Sequence, residues 1–460
     1  MTHTLLAIAL HALIAACGLG ALCALGALRL RSRTLGGSAA LLGLAYLCGY
    51  AVTFGAATAL LTIGVPFALP TLLAITLAGT LPLIDRLRRR RPSRRDIAAL
   101  VRPGSRGELV GLSVAALVFA LGLATQIRVP LTQWDAWAIW TNKAALFANL
   151  SHLPADTFTA PAWVGHPDYP IGLSLWEAAH FRALGRTDTS HVAALDWGLL
   201  SAAMLAAFAL APGRSGRVSV PIIVAAALTV LPAATIGYAD VPMGLFLAVG
   251  ALALSRWQQS ADPGALRLAV LLLGGAAITK NEGLMGAIAL LLAAFACGPA
   301  AGRRAVALGA VAWAALFVAP WRIWLALNDI SGDLHLGHAL SPAYLADHRE
   351  RLTPIFDALT TALLSDHTLM LVPIGIVALL ALDRSRAVAG FFAVAAVLYL
   401  GALVLVYWIS PYEIGWHLST SADRTFRTLG LLALPAILVA ADVAAARRDD
   451  DSTDTLRERS

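Results

Sequence analysis

The sequence predicts an all-α, polytopic membrane protein, and three observations predict it. Apolar residues fill 59% of the 460 positions while charged residues fill only 13%, giving a mean hydropathy of +0.75. Soluble domains run near about 45–50% apolar and about 25% charged, so this chain cannot clothe itself in a water-compatible surface, and a soluble enzyme is excluded. The apolar runs are also continuous rather than alternating, which excludes an outer-membrane barrel. With roughly 20 residues needed per crossing, the length accommodates about 13 spans and leaves substantial loops. A soluble chain with net charge +7 would point to nucleic acid. In a membrane protein basic loops are explained by orientation, and no nucleic-acid partner is expected.

In chain order, the expected spans lie near 4–28, 38–63, 66–84, 108–127, 192–211, 218–236, 240–256, 266–282, 284–298, 305–325, 368–382, 388–408 and 426–445. The first is too long, and too poor in basic residues at its start, to read as a removable signal peptide. Arginine clusters fall in every second short loop. Arg29, Arg31 and Arg33 follow the first span, Arg86 to Arg95 the third, and Arg214/Arg217, Arg256/Arg267, Arg303/Arg304, Arg384/Arg386 and Arg447/Arg448 continue the alternation. Placing these loops in the cytoplasm puts most basic residues inside, with the N-terminus outside and 448–460 as a polar cytoplasmic tail. Residues 1–90 then form extra N-terminal spans that pack or anchor, and 91–447 form the main module. Arginine far outnumbers lysine, which points to a bacterial chain and hence to the inner membrane. Cys17, Cys23, Cys48 and Cys297 all fall in apolar runs and read as small buried hydrophobes, neither disulfides nor zinc ligands.

The outer face carries two long loops, 128–191 and 328–367, with amphipathic helices expected near 136–150 and 343–363 that lie in the membrane interface. Polar groups gather at the outer span ends, where ionisable residues cost about 2.5–3.5 kcal/mol on insertion scales and are therefore paired or functional. Asp135 follows the fourth span and is flanked by Trp134, Trp137 and Trp140. Tryptophans there make an ordinary interfacial belt, but they also shield an acid and raise its basicity. If 134–145 is helical, Asp135 and Asn142 share a face. His166, Asp168 and Tyr169 stand between prolines that hold an extended backbone. Asp240 follows Tyr238 in a short turn and reads either as a helix cap or as a site carboxylate. Lys280, one of only two lysines in the chain, and Glu282 form either an internal ion pair or part of a site. Arg424 lies in the polar segment 413–424, which includes Trp416 and His417 and opens the last span. There an outer arginine needs an anion, either a lipid headgroup or a substrate phosphate. His335 and His338 lack a third ligand at metal spacing, so the 328–367 loop reads as solvated and no metal is expected. The motifs of nucleotide hydrolases, zinc proteases and serine hydrolases are absent.

Taken together, Asp135 after a span, Tyr169-Pro170-Ile171-Gly172, the turn Tyr238 to Pro242, the hairpin Thr279 to Gly283 and Arg424 at the last span resemble the GT-C superfamily of integral-membrane glycosyltransferases. The likeness is closest to its protein O-mannosyltransferase and aminoarabinose transferase-like branch, and it covers roughly 108–445. Two departures stand out: residues 1–90 precede the point where the family usually starts, and Trp-Asp-Ala-Trp offers one carboxylate where the family often has two. The resemblance implies inverting transfer of a sugar from a polyprenyl-phosphate donor to a lipid, glycan or protein acceptor outside the membrane, without a nucleotide or other cofactor. Asp135 would be the base. Arg424, with Lys280, would hold the phosphate, and Trp134, Trp137, His166, Asp168, Tyr169, Asp240, Glu282, Trp416 and His417 would line the substrate pockets. An O-antigen polymerase or ligase, a lipid-linked sugar flippase, and a scaffold protein stay open as alternatives.

Overall fold

A computed structural model describes residues 2–27, 34–91, 93–126, 130–159, 164–210, 237–365, 367–382, 386–441 and 443–444. The expected span 218–236, the tail 448–460 and Arg29, Arg31, Arg33, Arg214, Arg217, Arg384, Arg447 and Arg448 lie outside them. The described residues form helices and no strand. Nine of these helices are long and apolar enough to cross a membrane, or up to ten if one bent pair counts as a span. Apart from 218–236, each expected span coincides with a helix. The count among the described residues falls below 13 because Pro263–Ala277, Asn281–Cys297 and His367–Leu380 are only 15, 17 and 14 residues long, the last counting only as part of the bent pair.

The chain runs through α1 (Thr2–Ala24), α2 (Leu35–Thr62), α3 (Leu69–Arg89), α4 (Arg94–Leu100) and α5 (Arg106–Gln126). A π-helix at Ala136–Thr141 continues into α6 (Asn142–Asn149), followed by α7 (Ala155–Thr159), α8 (Gly172–Leu184) and α9 (Val192–Leu210). Next come α10 (Asp240–Ser260), α11 (Pro263–Ala277), α12 (Asn281–Cys297), and α13 (Arg303–Trp313) joined by a π-turn, Ala314–Val318, to α14 (Ala319–Leu327). The last are α15 (Leu336–Ala339), α16 (Pro342–Asp347), α17 (Leu352–Ser365), α18 (His367–Leu380), α19 (Arg386–Trp408) and α20 (Ile414–Gly430). The π-turn before α14 has a local cause. Pro320 has no N–H to give a helical turn and its ring crowds the preceding carbonyls, so a wider turn absorbs it.

Small residues set the packing of the N-terminal helices, because lipid supplies no hydrophobic drive between helices and close approach must do the work. A β-carbon on Gly18 would fall on the Ala45 carbonyl oxygen, and one on Gly49 on the Ile14 carbonyl oxygen. The backbones of α1 and α2 are therefore in contact, and neither can retreat by a rotamer change. Gly49→Val is expected to destabilise the protein by at least the roughly 1–3 kcal/mol typical of overpacking, read as a lowered thermal midpoint in detergent. An unchanged midpoint would mean that α1 packs elsewhere. Farther along α2, Tyr50 Oη meets Thr279 Oγ1 at 3.1 Å, so the N-terminal spans reach the start of α12.

The expected helix 136–150 forms, but its first turns are π-wound. These i→i+5 turns hold more residues than α-turns, so Asp135 and Asn142 are not two full turns apart as a regular helix would place them. The expected helix 343–363 is broken into α16, a 3₁₀ turn at Arg349–Arg351 and α17. The buried helix α8 was not expected. Its 13 residues rise only about 20 Å, too short to register as a span. Lastly, α20 begins at Ile414, where Glu413 accepts from Gly415 N–H (2.8 Å) and Trp416 N–H (2.6 Å). The last apolar helical stretch therefore covers Ile414–Ala441, and Arg424 sits inside it rather than at its opening.

Candidate functional site

The site is built around a tight turn at Gly237. Gly237 adopts φ 79°, a conformation glycine reaches without steric cost, and its N–H donates to Asp196 Oδ2 of α9 at 2.7 Å. The turn delivers Tyr238 and then Asp240 at the first position of α10. Asp240 is buried and accepts from Lys280 Nζ at 2.7 Å, and Lys280 also reaches Glu282 at 3.0 Å. Arg424 arrives from α20, pairs with Asp135 and lies 3.7 Å from Asp240 Oδ2. Its guanidinium rests 4.5 Å over the Tyr238 ring, and Tyr238 Oη donates to Gln133 Oε1 at 3.4 Å. Five of the expected site residues, Asp135, Asp240, Lys280, Glu282 and Arg424, thus form one ionic group of three carboxylates and two cations. Asp240 is no mere cap, and the Lys280–Glu282 pair exists within this larger cluster. Among the described residues, Asp240 Oδ2, Glu282 Oε2 and Arg424 Nε are buried without a hydrogen-bond partner, so hydrogen-bonding capacity remains for a ligand.

A second polar group adjoins the first. Asp168 accepts from Asn281 Nδ2 at 2.9 Å, and Asn281 accepts from Arg322 at 2.5 Å. Trp321 Nε1 donates to the Asp168 carbonyl at 3.0 Å. His166 stacks on Tyr169 and Tyr169 on Trp140, at 4.7 and 5.5 Å between centroids. His166 itself has φ 49°, rare for a residue with a side chain. It is held there because Lys143 Nζ donates to its carbonyl at 2.6 Å while Asp333 Oδ2 lies 2.5 Å from its Nδ1. The hydrogen bond with His166 holds the Asp333 carboxyl below its usual range, and burial pushes Lys143 down to about 7.

The aromatic expectations divide. Trp134 and Trp137 meet edge-on at 6.3 Å and stay largely exposed. Trp140 is instead buried, and the electrostatic partner of Asp135 is the Arg424 guanidinium. Trp416 is exposed beside Tyr412 (5.3 Å), and His417 Nδ1 lies 2.8 Å from Ser410 Oγ. Neither Trp416 nor His417 joins the ionic group. His335 and His338 pack as rings at 5.4 Å. Among the described residues no three His, Cys, Asp or Glu side chains are grouped as a metal site requires.

Sequence reasoning missed Lys143, Asp196 and Arg322, gave Asn281 no role beside Lys280 and Glu282, and read Asp333 as part of a solvated loop. One signal was present: only two lysines stand among 34 basic residues, and both lie in these two adjoining groups. Asn281 was equally close at hand, between Lys280 and Glu282. No family model, no curated protein and no solved structure matches this chain.

Proposed function

We propose that the protein is an inverting membrane glycosyltransferase that takes a sugar from a polyprenyl-phosphate donor. The observation that carries this reading is the Arg424–Asp135 pair, made across 289 residues of sequence with Asp240 and Lys280 behind it. A phosphodiester is a single negative charge that suits a guanidinium fork. On arrival it displaces the Asp135 carboxylate from Arg424. The released carboxylate then accepts the acceptor hydroxyl proton as that oxygen attacks the anomeric carbon, and the carbon–phosphate oxygen bond breaks with its electrons on the phosphate. Arg424, backed by Lys280, stabilises that departing charge. Asp168, His166 and Tyr169 line the sugar side, and a lipid, glycan or protein supplies the hydroxyl. In this reading the site faces the outer side of a bacterial inner membrane, with the N-terminus outside and the C-terminus in the cytoplasm.

The test is direct. Purified protein given a panel of synthetic polyprenyl-phosphate hexoses and pentoses should release polyprenyl phosphate and transfer sugar. Movement of intact donor between the leaflets of proteoliposomes, with no release, would assign the site to a flippase instead.

A further inference from the structure

Away from the ionic group, three imidazoles from three chain segments form a continuous hydrogen-bonded row. His191 Nδ1 lies 3.0 Å from His180 Nε2, and His180 Nδ1 lies 3.1 Å from His11 Nε2. His11 Nδ1 lies 2.7 Å from Tyr46 Oη, which accepts from Trp176 Nε1 at 3.1 Å. At the outer end of the row, His191 Nε2 faces Asp188 Oδ2 at 4.0 Å. The side chains of Asp188 and His191 are 20% and 27% exposed, whereas His180 is buried. The row thus runs from the solvent edge into the bundle.

One direction along the row gives the Tyr46 hydroxyl hydrogen an acceptor. Indole is a donor only and an ionised carboxylate an acceptor only. Because Trp176 donates to Tyr46, the hydroxyl hydrogen finds an acceptor in the row only if it donates onward to His11 Nδ1. His11 therefore carries its proton on Nε2 and donates to His180 Nδ1, and His180 Nε2–H donates to His191 Nδ1. The last proton, on His191 Nε2, points at Asp188. Reversing the row would leave the Tyr46 hydroxyl hydrogen between two donors. In this sense of the row all three rings carry their hydrogen on Nε2, and His191 Nε2 lies 4.0 Å from Asp188 Oδ2.

We propose that this row is a proton-operated clasp that fastens α1 and α2 to α8 while its imidazoles are neutral and loosens when one proton is added. A proton entering at Asp188 and His191 has two outcomes. Held on His191, it sets Nδ1–H against the His180 Nε2–H. Relieving that clash by moving the His180 and His11 hydrogens from Nε2 to Nδ1 reverses the row and strands the Tyr46 hydroxyl. Either way one buried link between the helices is lost. The other ionisable groups nearby do not replace it. His3 of α1 packs on Gly185, Arg186 binds Asp188 at 2.8 Å, Arg182 donates to the Phe147 and Leu150 carbonyls, and Glu177 accepts from Thr141. Because α8 starts two residues after Pro170, with Gly172 N–H donating to the Ile278 carbonyl at 2.8 Å, loosening at its far end reaches the wall of the site.

The sign follows from burial, which pushes His180 down to about 3. The fold holds it neutral, while the unfolded chain takes a proton near about 6.5. Stability is therefore complete above about 6.5 and falls as the pH drops toward 3. In full-length detergent-solubilised protein labelled with ¹⁵N-histidine, His11, His180 and His191 should all show Nε2–H at pH 7.5 and change together on acidification. Between pH 7.5 and 5 the thermal midpoint should fall by on the order of 5 °C, and His180→Phe should remove most of that pH dependence. Trp176→Phe, which deletes the donor that sets the direction, should let His11 populate Nδ1–H. An Nδ1–H proton on His11 or His180 in the unsubstituted protein would overturn the proposal, as would three independent titrations or an undiminished pH slope in His180→Phe.

Discussion

Replacing Arg424 with alanine is expected to cost both stability and activity. Its side chain is 19% exposed and stands between Asp135 and Asp240, whose side chains are 21% and 3% exposed. Removing one partner of a buried charge pair costs about 3–5 kcal/mol, because the remaining charge is left uncompensated. Here two carboxylates are left, with only Lys280 beside Asp240. Arg424→Lys keeps the charge but not the fork, and one ammonium cannot serve both Asp135 and Asp240 from a helix fixed in place. In sugar transfer, loss of a charge-assisted hydrogen bond of about 1.5–3 kcal/mol corresponds to roughly a 10- to 150-fold rise in donor KM. The stability loss should be partly repaired in Arg424→Ala/Asp135→Asn, since the second change removes one orphaned charge. Thermal midpoints of the two single variants and the double variant settle the point. If Arg424→Ala melts with the unsubstituted protein, Arg424 is not the centre of the cluster.

Much of this arrangement was legible before any coordinates, and the legible part has a physical character. Span positions follow from continuous apolar runs, which need no knowledge of neighbours. Asp135, Asp240, Lys280, Glu282 and Arg424 stood out because an ionisable residue at a span end must find a partner, and they are one another's partners. Hidden were features that depend on who meets whom. Asp333 sat in a loop with the composition of any solvated loop, and only its meeting with His166 gives it a role. Arg322 lay in an apolar helix whose π-turn at Ala314–Val318 no periodicity announces. The His11–His180–His191 row joins residues 169 and 11 positions apart, each an isolated histidine in its own segment. The start of α20 was misplaced because its first three turns, Trp416 to Arg427, are polar on the face that spans usually give to lipid.

Asp135→Asn should separate catalysis from architecture. Asparagine keeps the shape and can still accept from the Arg424 guanidinium, so the fold should survive with a loss of about 1 kcal/mol, the size of an ordinary hydrogen bond. What it lacks is a site that takes a proton at neutral pH. If Asp135 is the base for the acceptor hydroxyl, turnover should fall by about 10²- to 10⁴-fold. Donor affinity should move the opposite way. In the unsubstituted protein the donor phosphate must displace a carboxylate from Arg424, whereas in the variant it displaces only a neutral amide, so the donor should bind more tightly as transfer is lost. A purely structural ion pair predicts a different pattern, with lowered stability, near-normal turnover and no gain in donor affinity. Donor binding, single-turnover transfer and thermal midpoint, measured on the same purified variant, distinguish the two. Transfer within threefold of the unsubstituted protein would remove Asp135 from the chemistry and make Asp240, the other carboxylate beside Arg424, the group to test.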